Sequence, residues 1–414
     1  MGESKIKVPF HRAAITKAEE EAVLDVLRSG WLTTGKYALD FEKKFSKIVN
    51  SAPQGKDRPP VISLAVNSNT SGMILAMEAC GVSKGKAVIT TPYTFVSTAT
   101  CARHLNADVY IADIEKDTYS IDPDKIEEIL IKDSCTGING NPPHSVCAIV
   151  PVHIAGNICN MKRIMELAAK YSTAENKIKV IEDAAHAFPS PTELGYAGTI
   201  GDAGVFSFYA TKTITTAEGG MVCTRNEELA HRMAVMRLHG MDRTTWDRYT
   251  SPRASWEYDI VAPGYKCNLP DVLAAIGCCQ LDRAQLFYEQ RKHIVELYNK
   301  AFCNEDFIKL PPDGPGNSWH LYLMRLVPEK LSISREEFAK KMQEAGLGIS
   351  VHFIPIFHFT YWRGLYPDFT AEHFPNSERQ YSTTITIPLF PDMTDAQAEY
   401  VIETIKRIGK ENHK

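Results

Sequence analysis

The chain has 414 residues, of which 44% are hydrophobic and 23% are charged. This length exceeds what one hydrophobic core usually supports, so we expect two domains, residues 1–270 and 271–414. The net charge of −4 and the lack of a long apolar run give no reason to expect a nucleic-acid or membrane partner. The cysteines are spread through core-like segments without paired Cys-x-x-Cys units, which favours free thiols in the cytoplasm and predicts no structural metal.

The first half of the chain alternates between helical and strand-like patterns. Thr16–Ser29 begins with a capping residue and has helical apolar spacing, and Leu39–Val49 reads as a second helix. After these helices, short β-rich runs alternate with helical segments, which predicts an α/β fold with a mostly parallel, seven-stranded sheet between helices. The predicted strands are Val61–Val66, Ala87–Thr90, Asp108–Ala112, Val146–Val150, Lys179–Ile181, Gly204–Phe208 and Met221–Thr224.

Two later regions differ from this alternation. Lys132–Pro143 is polar and rich in turn residues, so we expect an exposed excursion there. Val272–Ala301 reads as one long helical stretch that connects to a smaller α+β domain. The predicted elements of that domain are a strand at Trp319–Leu326, a helix at Ser334–Ala345, a strand at Ile385–Leu389 and a helix at Thr394–Ile408.

A candidate anion site lies where the first predicted strand meets a helix. Asn67–Met73 follows Val61–Val66, and backbone N–H groups at a helix start attract anions. With the hydroxyls of Thr70 and Ser71, this segment could hold a phosphate. A plain helix cap is the alternative reading, but the position at the start of an α/β sheet and the motifs that follow favour the phosphate site.

An aromatic residue follows the second predicted strand. Phe95 stands just after Ala87–Thr90, where an aromatic ring can stack on a flat cofactor. Taken alone, an aromatic at such a position is more often part of the core.

Two acids end the apolar run that leads into Glu182-Asp183-Ala-Ala-His186. Burying such carboxylates without a cationic partner is costly. A protonated pyridine ring would be that partner for Asp183, and His186 could orient the carboxylate or contact an oxygen on the ring. An exposed turn with capping acids is the alternative.

A lysine follows another buried strand. Lys212 comes shortly after Val205–Phe208 and before Gly219-Gly220, which favours a packed site over a surface lysine. Ser207 in the same turn could reach a phosphate. A desolvated lysine has a lowered pKa and can form a covalent bond with an aldehyde. The pairing of Lys212 with Asp183 therefore predicts pyridoxal phosphate chemistry.

These motifs resemble the sugar aminotransferases of the DegT/StrS group, in the fold type I pyridoxal phosphate superfamily. The resemblance runs from Ser29–Gly35 to Ile387–Thr394. Within that group, Ile181–His186, Ile214–Gly220 and Pro263–Leu269 are similar to the branch that aminates a UDP-linked 4-keto pentose for lipid A modification.

The resemblance assigns roles to individual residues. Lys212 would be the Schiff-base lysine and Asp183 the partner of the pyridine nitrogen, while Phe95 would stack on the ring where that branch has Trp. Asn268 would reach the phosphate bound by the neighbouring subunit of a homodimer. The phosphate would be held by Thr70, Ser71 and Ser207, and the nucleotide-sugar pocket would be lined by segments that contain Trp31, Thr33, Thr34, Tyr209 and His352. Tyr209 is often His in the lipid A branch.

The implied reaction is transfer of an amino group from glutamate to a nucleotide-linked keto-sugar, giving an amino sugar and 2-oxoglutarate for cell-surface glycan or lipid A biosynthesis. Family members that dehydrate sugars have His in place of the lysine, so Lys212 favours transamination. An aminocyclitol-forming aminotransferase is an alternative, as is a non-catalytic regulator that binds pyridoxal phosphate. His352 and His358 do not predict a zinc site because no third ligand is apparent.

Overall fold

The computed structural model describes residues 7–52, 58–242 and 257–414 as an α/β structure. The helices, in chain order, are α1 (Lys17–Ser29), α2 (Lys36–Val49), α3 (Asn69–Ala79), α4 (Ser97–His104), α5 (Pro123–Thr136), α6 (Met161–Tyr171), α7 (Glu227–Met236), α8 (Asp271–Asp282), α9 (Ala284–Phe302), α10 (Arg335–Glu344), α11 (Thr360–Leu365), α12 (Pro375–Thr383) and α13 (Asp395–Glu411). The strands are β1 (Ile62–Val66), β2 (Ala87–Thr90), β3 (Asp108–Ile111), β4 (Val146–Ile149), β5 (Lys179–Asp183), β6 (Pro191–Thr192), β7 (Gly195–Tyr196), β8 (Ala203–Ser207), β9 (Gly220–Thr224), β10 (Ile308–Lys309), β11 (Tyr322–Leu326) and β12 (Thr384–Ile387).

Seven strands form the central sheet in the order β1-β9-β8-β5-β4-β2-β3. Six of them run in the same direction, and β9 is antiparallel to both of its neighbours. Strands such as β2 and β4 are buried along their whole length, because helices cover both faces of the sheet. The predicted α/β fold with a mostly parallel seven-stranded sheet is confirmed.

The carboxyl ends of β1, β5 and β8 meet at one edge of the sheet. Asp183 at the end of β5 is in register with Val205 of β8, and Ser207 and Val66 both pair with Gly220. A Cβ atom at Gly220 would stand 2.8 Å from the backbone nitrogen of Asn69, at the start of α3. Glycine at that position therefore lets α3 begin directly against the sheet, which brings the loops after three strands together.

A second, antiparallel sheet has the order β10-β11-β12 and lies in the C-terminal part of the chain. Apolar side chains of α9, α10 and α13 pack with this sheet into one buried cluster that includes Tyr298, Phe338 and Ile405. This is the α+β arrangement that the sequence predicts. The division into domains at residues 270 and 271 stays a prediction.

The long helix predicted at Val272–Ala301 is two helices, α8 and α9, separated at Arg283. No proline or glycine marks the break. The Arg283 guanidinium instead donates to the carbonyl of Ala14 and contacts Glu19 of α1 at 3.2 Å. The break therefore accompanies a tertiary contact, which local sequence patterns do not report.

The excursion predicted at Lys132–Pro143 is shorter than expected, since α5 continues to Thr136. Asp133 is buried near the end of this helix and accepts hydrogen bonds from Ser145 Oγ at 2.6 Å and from the backbone nitrogen of Val146 at 3.1 Å. The polar residues that suggested a loop thus include one that fixes the helix to β4.

All ten cysteines are free thiols. Among the described residues, no helix combines the length and the apolar character needed to cross a membrane.

Candidate active site

A cavity of about 420 Å³ opens at the carboxyl edge of the central sheet. Its walls come from the loops after β1, β2, β5 and β8, together with two segments of the C-terminal region. The structure brings eight of the predicted site residues to this cavity, namely Thr70, Phe95, Asp183, His186, Ser207, Tyr209, Lys212 and His352. Residues far apart in the sequence therefore line one cavity, because the parallel strands that precede them end at the same edge of the sheet.

Asp183 is 4% exposed at the end of β5. One carboxylate oxygen accepts from Thr98 Oγ1 at 2.7 Å, and the other accepts from the backbone nitrogen of Ala185 at 3.1 Å and from Asn69 Nδ2 at 3.4 Å. These groups orient the carboxylate, a role for which His186 had been one candidate. All three donors are neutral, so the described contacts leave the negative charge of Asp183 without an ion pair.

Lys212 lies on the loop between β8 and β9 and is half-buried. Its backbone nitrogen donates to the carbonyl of Tyr209 at 2.9 Å, which closes a turn that begins at the end of β8. Burial lowers the pKa of the Lys212 ammonium to about 8, while the charge of Asp183 opposes that shift. Near neutral pH this side chain is therefore a neutral amine far more often than an exposed lysine is.

The start of α3 forms the candidate anion site. Ser68 caps this helix and accepts from the backbone nitrogen of Ser71 at 3.1 Å, while the Ser68 and Ser71 hydroxyls are 2.9 Å apart. Ser68, Asn69 and Thr70 line the cavity. Ser207 lines it from the adjacent strand end, so backbone N–H groups and hydroxyls converge on one end of the chamber.

Three histidines line the cavity, and only two of them were predicted. His186 Nδ1 accepts from the backbone nitrogen of Ala155 at 3.1 Å, and the His186 ring lies 4.4 Å from that of His320. His352 Nδ1 lies 3.0 Å from Thr386 Oγ1. His320 lies in residues 319–321, which belong to the predicted strand Trp319–Leu326 but precede the observed strand β11 (Tyr322–Leu326). The backbone nitrogen of Leu321 donates instead to the carbonyl of Ala155.

Phe95 stands at the mouth of the cavity with 59% of its surface exposed. Its ring centroid is 6.1 Å from that of Phe353, on the opposite wall. Such an exposed apolar ring is not core packing, which was the alternative interpretation.

The remaining predicted residues gather beside this chamber. A second cavity of about 560 Å³ shares Ser68 and Glu218 with the first and is lined by Thr33 and Asn268. Asn268 Nδ2 donates to Thr34 Oγ1 at 2.7 Å, and Trp31 Nε1 donates to the carbonyl of Thr34 at 3.2 Å. The first cavity, which contains Lys212, is the lysine chamber. A separate cluster thus lies next to this chamber and not inside it, and it consists of Trp31, Thr33, Thr34 and Asn268.

Glu182 precedes Asp183 but points to the other face of the sheet, as alternation along a strand requires. Its carboxylate is fully buried and accepts from the backbone nitrogens of Gly198, Ile200 and Gly201 at 2.7–2.8 Å. His153 Nδ1 accepts from the backbone nitrogen of Cys159 at 3.3 Å, which leaves Nε2 to donate to Glu182 at 3.0 Å. Glu182 is therefore a structural anchor.

A Glu182→Gln protein should lose about 2–4 kcal/mol of unfolding free energy, because the amide NH2 would face buried N–H donors. Urea denaturation of the two proteins measures this loss, and Glu193→Gln, at an exposed position, serves as the control. Equal midpoints for wild type and Glu182→Gln would contradict the anchoring role.

Within the described ranges, no group of three or more His, Cys, Asp or Glu side chains could hold a metal ion. His358 Nε2 instead contacts Glu378 Oε2 at 2.6 Å.

Several site residues escaped prediction. Asn69 stands inside the motif Asn67–Met73, yet only its hydroxyl-bearing neighbours were singled out. Thr98, His320 and Phe353 have no local signal, because packing of distant segments brings His320 and Phe353 to the cavity and Thr98 to the Asp183 carboxylate.

Comparison with known proteins places this chain in a family. Residues 13–406 match the model of the DegT/DnrJ/EryC1/StrS aminotransferase family. An uncharacterized protein of Methanocaldococcus jannaschii is 37% identical over 407 residues, 98% of each chain. The spore coat polysaccharide biosynthesis protein SpsC of Bacillus subtilis is 36% identical over 406 residues, 97% of each chain.

Solved structures agree with the family match. The PMP form of Spr1654 from Streptococcus pneumoniae, an assigned sugar aminotransferase, has a TM-score of 0.86 at 29% identity and covers 98% of this chain and 100% of its own. The aminotransferase TlmJ from Streptoalloteichus hindustanus has a TM-score of 0.80 at 26% identity, with 98% and 99% covered. The family predicted from the motifs is confirmed, and the chain belongs to the DegT/DnrJ/EryC1/StrS aminotransferases.

Proposed function

We propose that this protein uses pyridoxal phosphate to transfer the amino group of glutamate to a nucleotide-linked keto-sugar, giving an amino sugar and 2-oxoglutarate. The observation that carries this proposal is the pairing of a half-buried Lys212, whose pKa is lowered to about 8, with a buried Asp183 in one cavity. Such a pair supplies both a nucleophilic amine and a fixed negative charge.

The residues present fit the cofactor. When bound, pyridoxal phosphate supplies an aldehyde carbon and a ring that takes up the electron pair left by ionisation of a substrate C–H bond. Asp183 accepts only neutral donors in the described structure, so its charge is available to a protonated ring nitrogen. Ser68, Thr70 and Ser207 would hold the phosphate, with Ser71 supporting Ser68. Phe95 would cover one face of the ring.

Lys212 would be the base of the reaction. Its amine would remove a proton from the α-carbon of the donor and return it to the former aldehyde carbon of the cofactor. A pKa of about 8 suits both steps, because the amine is neither fully protonated nor too weak to hold the proton near neutral pH. Asp183 would hold the proton on the ring nitrogen throughout.

The second cavity supports two proposals, one about where the nucleotide-sugar binds and one about a homodimer. We place the nucleotide-sugar near Trp31, Thr33 and Thr34, with Tyr209 and His352 on the side of the lysine chamber. Asn268 lies outside that chamber, which fits a homodimer in which it reaches the neighbouring site. Sedimentation that found only monomers at assay concentrations would contradict this assembly.

The relatives support a role in glycan synthesis. SpsC is named for spore coat polysaccharide, and Spr1654 is known in PLP and PMP forms. We therefore propose a cytoplasmic enzyme of cell-surface glycan biosynthesis, and free cysteines at every cysteine position agree with a reducing compartment. A UDP-linked 4-keto pentose, the lipid A precursor, is the first acceptor to test.

The test separates the two half-reactions. Holoenzyme mixed with glutamate should release one 2-oxoglutarate per bound cofactor, and a nucleotide keto-sugar should then remove the stored amino group. A panel of nucleotide keto-sugars and keto-cyclitols identifies the acceptor. Turnover with keto-cyclitols alone would replace the proposed acceptor, and the absence of 2-oxoglutarate would refute glutamate as donor.

A further inference from the structure

His352, which lines the lysine chamber, is held by residues from three distant parts of the chain. Its Nδ1 lies 3.0 Å from Thr386 Oγ1 on β12, and its backbone carbonyl accepts from the hydroxyl of Tyr93, which follows β2. The ring of Phe10, near the N-terminus, stacks on the imidazole at a centroid distance of 5.6 Å and an interplanar angle of 21°. A side chain held in this way is oriented before any ligand arrives.

One nitrogen of this imidazole is left for a ligand. Within the described part of the chain, His352 Nε2 has no hydrogen-bond partner, yet it is not sealed from solvent as the Nδ1 of His320 is. Burial and the positive charge of Lys212 lower the pKa of His352 to about 4. The ring is therefore neutral, and its free nitrogen can exchange one hydrogen bond with a polar group of a substrate.

Phe10 reaches this ring because the N-terminal segment lies along the chain that leads to His352. The backbone nitrogen of Gly348 donates to the carbonyl of Val8 at 2.8 Å. A Cβ atom at Gly348 would stand 2.3 Å from the backbone nitrogen of Phe10. Glycine at position 348 therefore allows the close approach that sets Phe10 against the imidazole.

The surroundings of Phe10 differ from those of an ordinary core residue. Phe10 is half-buried, whereas Tyr93 and Leu323, in the cluster against which it packs, are fully buried. Its ring covers one face of the imidazole, and an aromatic ring stacked there restricts rotation of His352. Together with the Thr386 contact at Nδ1, this stack leaves Nε2 as the nitrogen that a ligand in the chamber can reach.

We propose that Phe10 is a positioning residue for the amino acceptor and that it acts through His352. Its ring fixes the imidazole so that Nε2 exchanges a hydrogen bond with an oxygen atom of the keto-sugar beside Lys212. The N-terminal segment thereby contributes to substrate binding, although none of its described residues lines the chamber. This inference rests on the proposed function, since it takes the acceptor to be a keto-sugar.

A double-mutant cycle tests whether Phe10 acts through His352. In enzyme that already carries the amino group of glutamate, Phe10→Leu should lower the second-order rate constant for the UDP-linked 4-keto pentose by about 5- to 30-fold, while the glutamate half-reaction stays within about threefold. His352→Ala should lower the same constant at least as far. Adding Phe10→Leu to His352→Ala should then change it by less than about twofold. A residue that only supported the fold would slow both half-reactions in both backgrounds.

Crystal structures provide a measurement that does not depend on activity. Leucine keeps an apolar side chain at position 10, so we expect the Phe10→Leu protein to fold. In its holoenzyme, the His352 ring should leave its wild-type position or occupy more than one orientation. Arg12→Ala, at an exposed position of the same segment, is the control and should keep both the wild-type ring and the wild-type rates.

The outcomes separate this inference from the function beneath it. An unchanged His352 ring in the Phe10→Leu structure, or additive effects in the cycle, would overturn the positioning role and leave transamination intact. A wild-type enzyme that aminates no nucleotide keto-sugar would overturn both, because Phe10 would have no such acceptor to position.

Discussion

Replacing Lys212 with alanine should lower turnover by at least about 10³-fold, because the variant lacks both the amine that bonds the cofactor and the base that moves the substrate proton. Borohydride reduction of holoenzyme followed by peptide mapping should label Lys212 in the wild type and nothing in the variant. Lys132→Ala, at an exposed position on α5, is the matched control and should keep both label and activity.

A Lys212→Arg protein separates charge from basicity. Arginine keeps a positive charge near Asp183 but cannot release a proton near neutral pH. We expect it to be as inactive as the alanine variant, although it preserves the electrostatics of the cavity. Borohydride labelling of any other lysine, or substantial turnover in either variant, would remove the basis for assigning position 212.

The central sheet could be predicted because its strands are short, apolar and buried, and because helical segments separate them. The same topology explains why residues after β1, β5 and β8 meet, since parallel strands end at one edge. Thr70, Asp183, Ser207 and Lys212 could therefore be placed together from sequence alone.

Other parts of the site depend on tertiary contacts without local patterns. His320 lies within the predicted strand Trp319–Leu326, but its neighbours Ser318 and Leu321 donate backbone hydrogen bonds to residues 155–156, and His320 lines the cavity. Thr98 looks like any residue in the first turn of α4, yet it donates the shortest hydrogen bond to Asp183. The break at Arg283 likewise lies at a contact with Glu19 of α1 and not at a helix-breaking residue.

A third group of site residues could be predicted only from the resemblance to the family, and not from composition or periodicity. This group is Trp31, Thr33, Thr34 and Asn268. The structure gathers them at a cavity that adjoins the lysine chamber through Ser68 and Glu218. Their roles remain proposals, because the acceptor and the neighbouring subunit decide them.

Removing the charge of Asp183, which acts on both Lys212 and the cofactor ring, should have the second large effect on the reaction. Asp183→Asn keeps the size of the side chain, and the Thr98 hydroxyl can rotate to accept from the new amide, so we expect the protein to fold. The negative charge is lost, however, and with it the group that would keep the ring nitrogen protonated. The rate of the glutamate half-reaction should fall by at least about 10²–10³-fold.

The same substitution should change the titration of Lys212. Asp183 raises the pKa of this lysine against the effect of burial, so its removal should lower that pKa below the wild-type value of about 8. The rate at which apoenzyme bonds pyridoxal phosphate, measured between pH 6 and 10, reports the neutral amine and should reach half its maximum at lower pH in the variant. Asp202→Asn, whose carboxylate pairs with Lys179 at the opposite edge of the sheet, should leave both measurements unchanged. If Asp183→Asn matched the wild type in rate and in titration, the charge at position 183 would have no part in the chemistry, and Lys212 would owe its reactivity to burial alone.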